Sequence, residues 1–190
     1  MMEKAAQIRG TGIAKRNPEY LKKKISESNA VIATFNDSVI GFCYIENWEN
    51  QQYVANSGLI IHPNFRNLGL AKRIKTEIFK LSKEKFPNSK LFGITTSLAV
   101  MKINSDLGYK PVTFSELTKV ENFWNGCISC VNYDILQRTE RKMCLCTGMV
   151  CNPQNEKHSR EEQSNSWSIF LQFLNKSIQK KSKKKTYEKQ

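Results

Sequence analysis

From Val54 to Phe86 the chain reads VANSGLIIHPNFRNLGLAKRIKTEIFKLSKEKF, and no other stretch constrains the fold as much. Val54 to His62 is mostly apolar or small, rich in β-favouring residues and short enough for a buried strand, with Pro63 and Asn64 closing it. Past a turn, Leu70, Ile74, Ile78 and Leu81 recur at spacings of four, four and three, which lines them along one helical face. The same pattern leaves Lys72, Arg73, Lys75, Glu77 and Lys80 to the rest of the surface. The unit is strand, turn, helix. Its turn, Arg66-Asn67-Leu68-Gly69-Leu70-Ala71, combines small residues that let a ligand approach the backbone with the free N–H groups and positive dipole end of a first helical turn. A pyrophosphate fits such a cradle, although a glycine serves many strand-to-helix turns that bind nothing.

The rest of the chain supplies the partners this unit needs. Met1 to Ser28 reads as two short helices, broken around Gly10, Thr11 and Gly12, with a second start at the Asn17 cap and Pro18. Val31 to Phe35, Val39 to Trp48 and Gln52 to Ile61 are β-favouring runs, the first two joined by a tight hairpin turn at Asn36-Asp37-Ser38. Lys90 to Thr96 makes a further strand and Leu98 to Leu107 a short helix, which Gly108 closes as a left-handed cap before Tyr109 enters the next strand. Pro111 to Phe114 and Ser129 to Leu136 are expected to form the last strand pair, with a short helix or loop from Leu117 to Asn125 between them. Residues 1–151 form one domain in this reading. Residues 152–190 are a polar, basic extension with one amphipathic helix around Trp167, Phe170 and Phe173, and a lysine-rich disordered end.

Charge and cysteine usage bound the function. The net charge of +13 is not confined to the tail: nine Lys and Arg stand against four Glu from Gln154 onward, leaving twenty-one against thirteen before it. A basic body suits an anionic ligand and general solubility alike. No run approaches the roughly 18 apolar residues of a membrane span, and the start, MMEKAAQIRG, lacks the apolar centre of a secretory signal, so a cytoplasmic protein is expected. The six cysteines of such a chain read as thiols or metal ligands, not as a disulfide framework.

The turn meets every fixed position of a known pattern: Gln or Arg, two residues, Gly, one residue, then Gly or Ala. With the order helix, helix, three antiparallel strands, helix, strand, helix, strand, the chain from roughly Ala5 to Gln137 resembles the GCN5-related N-acetyltransferase superfamily. Ile103-Asn-Ser-Asp-Leu-Gly-Tyr109 is similar to the helix ending common in that family. The resemblance implies an α+β fold with a mixed, mostly antiparallel twisted sheet flanked by helices, here without the family's first strand. It also implies acetyl-CoA or another acyl-CoA as co-substrate and a small amine as acceptor. Leu59, Ile60 and Ile61 would face the pantetheine arm; Arg66, Asn67, Leu68, Gly69, Leu70 and Ala71 would cradle the pyrophosphate, with Lys72 or Arg73 as charge partners. Many members carry an acid Tyr four residues before the closing Gly, and Asn104 stands there instead, leaving Tyr109 as the nearest phenol. Glu46, or Glu49, would be the base. The first two helices roof the acceptor site in that fold, and there Arg9 and Arg16 flank a Gly-bearing link as a bidentate clamp for carboxylates, which suits glutamate. RGTGIAKR, SGLI, LAKRIK and AVMKINSDLGY, with the later cysteine pairs, also look like the stand-alone N-acylglutamate synthase-like enzymes associated with arginine biosynthesis. A second copy of the chain completing the open sheet edge is a further expectation.

Cys127-x-x-Cys130 and Cys144-x-Cys146, separated by Val131 to Met143, would satisfy tetrahedral zinc if drawn together by a final strand and a turn at Arg138 to Lys142. Two rival readings stand beside the enzyme. One is a zinc-bearing basic module that binds nucleic acid; the other keeps the fold and binds acyl-CoA without turnover, because the usual acid Tyr is absent.

Overall fold

The computed structural model describes residues 16–152. The chain divides into two units, Met1–Pro153 and Gln154–Gln190, and the described residues lie in the first. Arg9, the Gly10–Gly12 break and the proposed helix and tail of the C-terminal extension lie outside the described residues.

The chain enters through α1 (Pro18–Ser26), whose start follows from its caps: Asn17 Oδ1 accepts from Glu19 N at 2.9 Å and Pro18 occupies the first turn. β1 (Ala30–Phe35) and β2 (Ser38–Trp48) form the expected hairpin, with Asn36 and Asp37 both at positive φ, as a two-residue turn of the right twist requires. β3 (Tyr53–Ile61) continues antiparallel to β2. α2 (Leu70–Lys85) then crosses to β4 (Lys90–Thr95), which lies parallel to β3. α3 (Leu98–Asp106) ends as the sequence predicts: Gly108 at φ 91° lets Tyr109 N reach Asn104 O and Gly108 N reach Ser105 O.

The final strand differs from expectation. Ser129–Leu136 is not a strand; it is a turn followed by the helix α5 (Tyr133–Arg138), after a short α4 (Glu121–Asn125) carrying the buried Trp124. The strand that pairs with β5 (Lys110–Val112) is β6 (Thr147–Cys151), which inserts between β4 and β5 to give the order β1-β2-β3-β4-β6-β5. The reason is in the side chains. β6 buries Met149 and Cys151 in one core and packs Val150 against the other, while Gly148 passes so close to β5 that a Cβ there would lie 3.2 Å from Val112 O. Val131, in the segment expected to pair, is 66% exposed.

The sheet has a core on each face. α2 packs on one face through Ile74, Ile78 and Phe79, with Leu70 and Leu81 at the margin. Phe92, Phe114, Trp124 and Leu136 fill the other. Among the described residues no helix is long and apolar enough to cross a membrane.

Gly108 tests the α3 ending. Gly108→Val forces a β-branched side chain into the left-handed region and should cost about 1–3 kcal/mol, with Gly108→Asn costing less, as read by urea unfolding.

Candidate functional site

The site begins with an extra residue in β3. Tyr44 pairs with Ser57 but Phe42 pairs with Ile60, so β3 carries one residue more than β2 across this interval, with Gly58 at φ 66°. A bulge of this kind bends its strand. On the other side β3 pairs with β4 only at Tyr53, Val54 and Ala55, opposite Lys90, Leu91 and Phe92. Beyond that the strands part, and Asn56–Leu59 and Gly93–Thr95 become the two walls of a cleft.

Beyond β3, Asn67 (φ 62°) and Gly69 (φ 75°) turn the chain into α2. The first helical bond in this turn runs from Arg73 N to Gly69 O, so the N–H groups of Leu70, Ala71 and Lys72 precede the ladder. A Cβ on Gly69 would find nothing within 4 Å. The cradle is open, and its residues fit an anionic pyrophosphate. Leu68 is 70% exposed beside it, Arg66 donates to Ile61 O at 3.3 Å, and Lys72 is engaged with Asp106 at 2.8 Å. Of the residues expected against the pantetheine arm, Leu59 lines the cleft, whereas Ile60 is buried with Phe42 and Tyr44, and Ile61 packs at the margin of the α2 core. Asn56, Ser57 and Gly58, which precede them, line the wall as well.

At the other end Arg16 stands between this cleft and a neighbouring pocket that holds Tyr20, Lys24 and Glu46. Arg16 Nε donates to Tyr44 Oη at 3.2 Å. Burial above all pushes the Tyr44 phenol up to about 12, with Arg16 pulling the other way. Glu46 is buried and held by two residues of α1: it accepts from the Tyr20 hydroxyl and pairs with Lys24 at 2.9 Å. Burial, then the bond to Glu46, raises Tyr20 far above the ordinary phenol range. Glu49 sits in the turn after β2 at φ 48°.

Tyr109 and Asn104 are placed behind the cleft wall. Tyr109 is buried and donates to Asn56 Oδ1 at 3.2 Å, while Asn56 Nδ2 donates to Ser82 Oγ at 2.6 Å. Asn104 is buried with its Nδ2 on Met149 Sδ at 3.7 Å, and among the described residues its Oδ1 has no hydrogen-bond partner. A residue that the sequence pattern assigns to the surface does reach the cleft. Lys75 is 3% exposed, donates to Asn56 O at 3.3 Å and lies 5.7 Å from the centre of the Tyr109 ring. Burial holds its ammonium below the ordinary lysine range, with the neighbouring Cys43 acting the other way. The signal was present: Ala71, Lys75, Ile78, Phe79 and Ser82 also share a helical face, and the apolar members alone conceal it.

Cys127, Cys130, Cys144 and Cys146 all line this cleft. Burial, then the nearby Cys130 and Cys144, pushes the Cys127 thiol up to about 11, and burial, then Cys144, pushes Cys146 up to about 12. The two pairs are thus drawn to one wall, though through a turn and a helix instead of the expected strand. Among the described residues no disulfide joins the cysteines, and no group of three His, Cys, Asp or Glu side chains is placed to hold a metal ion.

The profile of the acetyltransferase (GNAT) family matches residues 5–99, half of the chain. No curated protein sequence gives a significant match. The fold is similar to that of N-acetylglutamate synthase from Neisseria gonorrhoeae complexed with coenzyme A and N-acetyl-glutamate, with 15% identity and a TM-score of 0.56 over 78% of this chain and 30% of that one. The same synthase complexed with coenzyme A and L-arginine is similar at 18% identity and a TM-score of 0.52, over the same shares. A Mycobacterium tuberculosis protein in complex with CoA is similar at 11% identity and a TM-score of 0.51, over 73% of this chain and 82% of that one. The chain therefore spans under a third of the synthase and most of the mycobacterial protein.

Lys75 makes the site sensitive to pH. The unfolded chain keeps this lysine protonated up to about pH 10.4, whereas the folded chain releases the proton earlier, so its contribution to stability rises with pH toward that value and is lost as pH falls. Lys75→Met should be more stable than wild type at pH 7, with the gap narrowing by pH 10 in chemical denaturation.

Proposed function

The chain belongs to the acetyltransferase (GNAT) family, and from that premise we propose that it transfers an acyl group from an acyl-CoA to the amino group of a small, carboxylate-bearing acceptor, glutamate being the best fit. The parting of β3 from β4 carries this reading. It leaves the β4-facing side of Asn56–Leu59 without a strand partner along the cleft wall, in the strand whose continuation runs through Ile61 to the open turn at Arg66–Ala71. An extended arm paired to the wall would set its pyrophosphate at the turn and its thioester near the middle of the cleft.

The chain's own groups then have distinct tasks. Backbone N–H groups of β3 bind and polarise the thioester carbonyl, which is worth most in a site from which Trp48, Phe114 and Phe123 exclude water. Arg16, oriented by Tyr44, pairs with an acceptor carboxylate. Glu46, held by Tyr20 and Lys24, takes the amine proton through a water in the adjoining pocket. Tyr109 and Asn104 stand behind the β3 wall and act by positioning Asn56 and the α3 ending. With glutamate as acceptor the product is an N-acylglutamate, and amino-acid biosynthesis in the cytoplasm is part of the same proposal.

Two pairs of variants test the two ends. Gly69→Asp puts a carboxylate into the cradle with a residue that tolerates positive φ; calorimetry should show at least a tenfold loss of coenzyme A affinity with little change in melting temperature. At the acceptor end, Arg16→Ala should raise KM for glutamate and Glu46→Gln should lower kcat, each by about 10- to 100-fold, while coenzyme A affinity holds. Coenzyme A release assayed over a panel of amines checks both. Preference for a cationic amine over glutamate would remove the acidic acceptor and leave the acyl transfer.

A further inference from the structure

Among the described residues two lysines near the site are largely buried, and only one of them has a carboxylate beside it. Lys24, at 12% side-chain exposure, pairs with Glu46. Lys75, at 3%, reaches the Asn56 carbonyl at a long 3.3 Å, the face of the Tyr109 ring and the neighbourhood of the Cys43 thiol, itself pushed up to about 11 by burial. Among the described residues no acidic side chain compensates it. An ammonium removed from water without a counter-ion is costly, and a fold keeps one where something else supplies the charge.

The location says what that is. Lys75 belongs to the helix whose first turn forms the phosphate cradle, and it lines the cleft with Ser57 and Gly58, on the donor side. The acceptor side already has its cation in Arg16. Gly93 of β4 lines the same cleft and leaves room, since a Cβ built there would find nothing within 4 Å. A methyl group would use neither the charge nor the space.

We propose that the cleft is built for an acyl-CoA whose acyl group ends in a carboxylate, with Lys75 as its counter-ion and the gap beside Gly93 as the passage for its chain. The inference rests on the acyltransfer reading above. The step is ordinary acyl transfer: the acceptor nitrogen bonds to the acyl carbonyl carbon, the carbon–sulfur bond breaks, coenzyme A leaves as thiolate, and the amine proton passes to the base. The distal carboxylate takes no part in bonding and is held by Lys75 throughout, so the product carries it unchanged.

Donor binding tests this without any acceptor. Calorimetry on the full chain should give a dissociation constant for succinyl-CoA at least tenfold below that for acetyl-CoA. Lys75→Met should erase that difference while leaving the affinity for free coenzyme A in place, and Gly93→Val, which narrows the passage, should weaken succinyl-CoA more than acetyl-CoA. In turnover with glutamate, kcat/KM should favour succinyl-CoA by a similar factor. Equal or tighter binding of acetyl-CoA by the wild type would overturn the proposal and leave the acyltransferase reading standing, whereas failure to bind any of the three would overturn both. Should Lys75→Met fail to fold, the wild-type ratio and Gly93→Val decide the matter.

Discussion

Everything that makes this sheet a site follows from one mismatch in strand pairing. β3 carries an extra residue at Gly58 against β2 and meets β4 over three residue pairs before the two diverge. A continuous ladder would have satisfied the backbone of Asn56–Leu59 and Gly93–Thr95 within the sheet. Parted, these segments keep donors and acceptors facing a cleft, where an extended ligand can take the place of the missing strand partner. The core on either face must then hold the two halves apart. α2 braces β1, β2 and β3 on one side, while β6, inserted beside β4, anchors the other half through Met149 and Cys151.

The second constraint is electrostatic. At the Arg16 end of the cleft, Arg16 bonds to Tyr44, while Glu46 is met by both Tyr20 and Lys24. The polar set behind β3 differs. Asn56 bonds to both Ser82 and Tyr109, and Lys75 ends on a carbonyl with no acid in reach among the described residues. Arg16 and Lys24 set two cations against the one carboxylate of Glu46, so neither end of the cleft is charge-balanced among these groups.

Much of this was legible in the sequence where the cause is local. The hairpin at Asn36-Asp37, the cap at Asn17-Pro18, the Gly108 ending of α3 and the strand-turn-helix around Gly69 depend on φ angles and hydrogen bonds within a few residues, and residue type decides those. Gly58 shows the limit. An isolated glycine in a strand signals a bulge or a close backbone approach, but only pairing with β2 reveals which, and how far β3 then swings from β4.

The sequence by itself therefore determined the elements up to Tyr109 among the described residues, and the family-like turn at Arg66–Ala71. Tertiary structure decided the rest. Ser129–Leu136 and Thr147–Cys151 are both short and β-compatible, and which of them pairs with β5 depends on Gly148 fitting against Val112 and Met149 entering a core assembled from distant segments. The two cysteine pairs share a wall because a turn and a helix fold back, which no spacing rule specifies. Lys75 is the clearest case. Periodicity ranks helix faces by average apolarity, so it cannot say that a charged residue flanked by Ile74 and Ile78 will be carried under the sheet; the packing of α2 against β3 settled that, because burial is a property of the partners an element finds and not of the element alone.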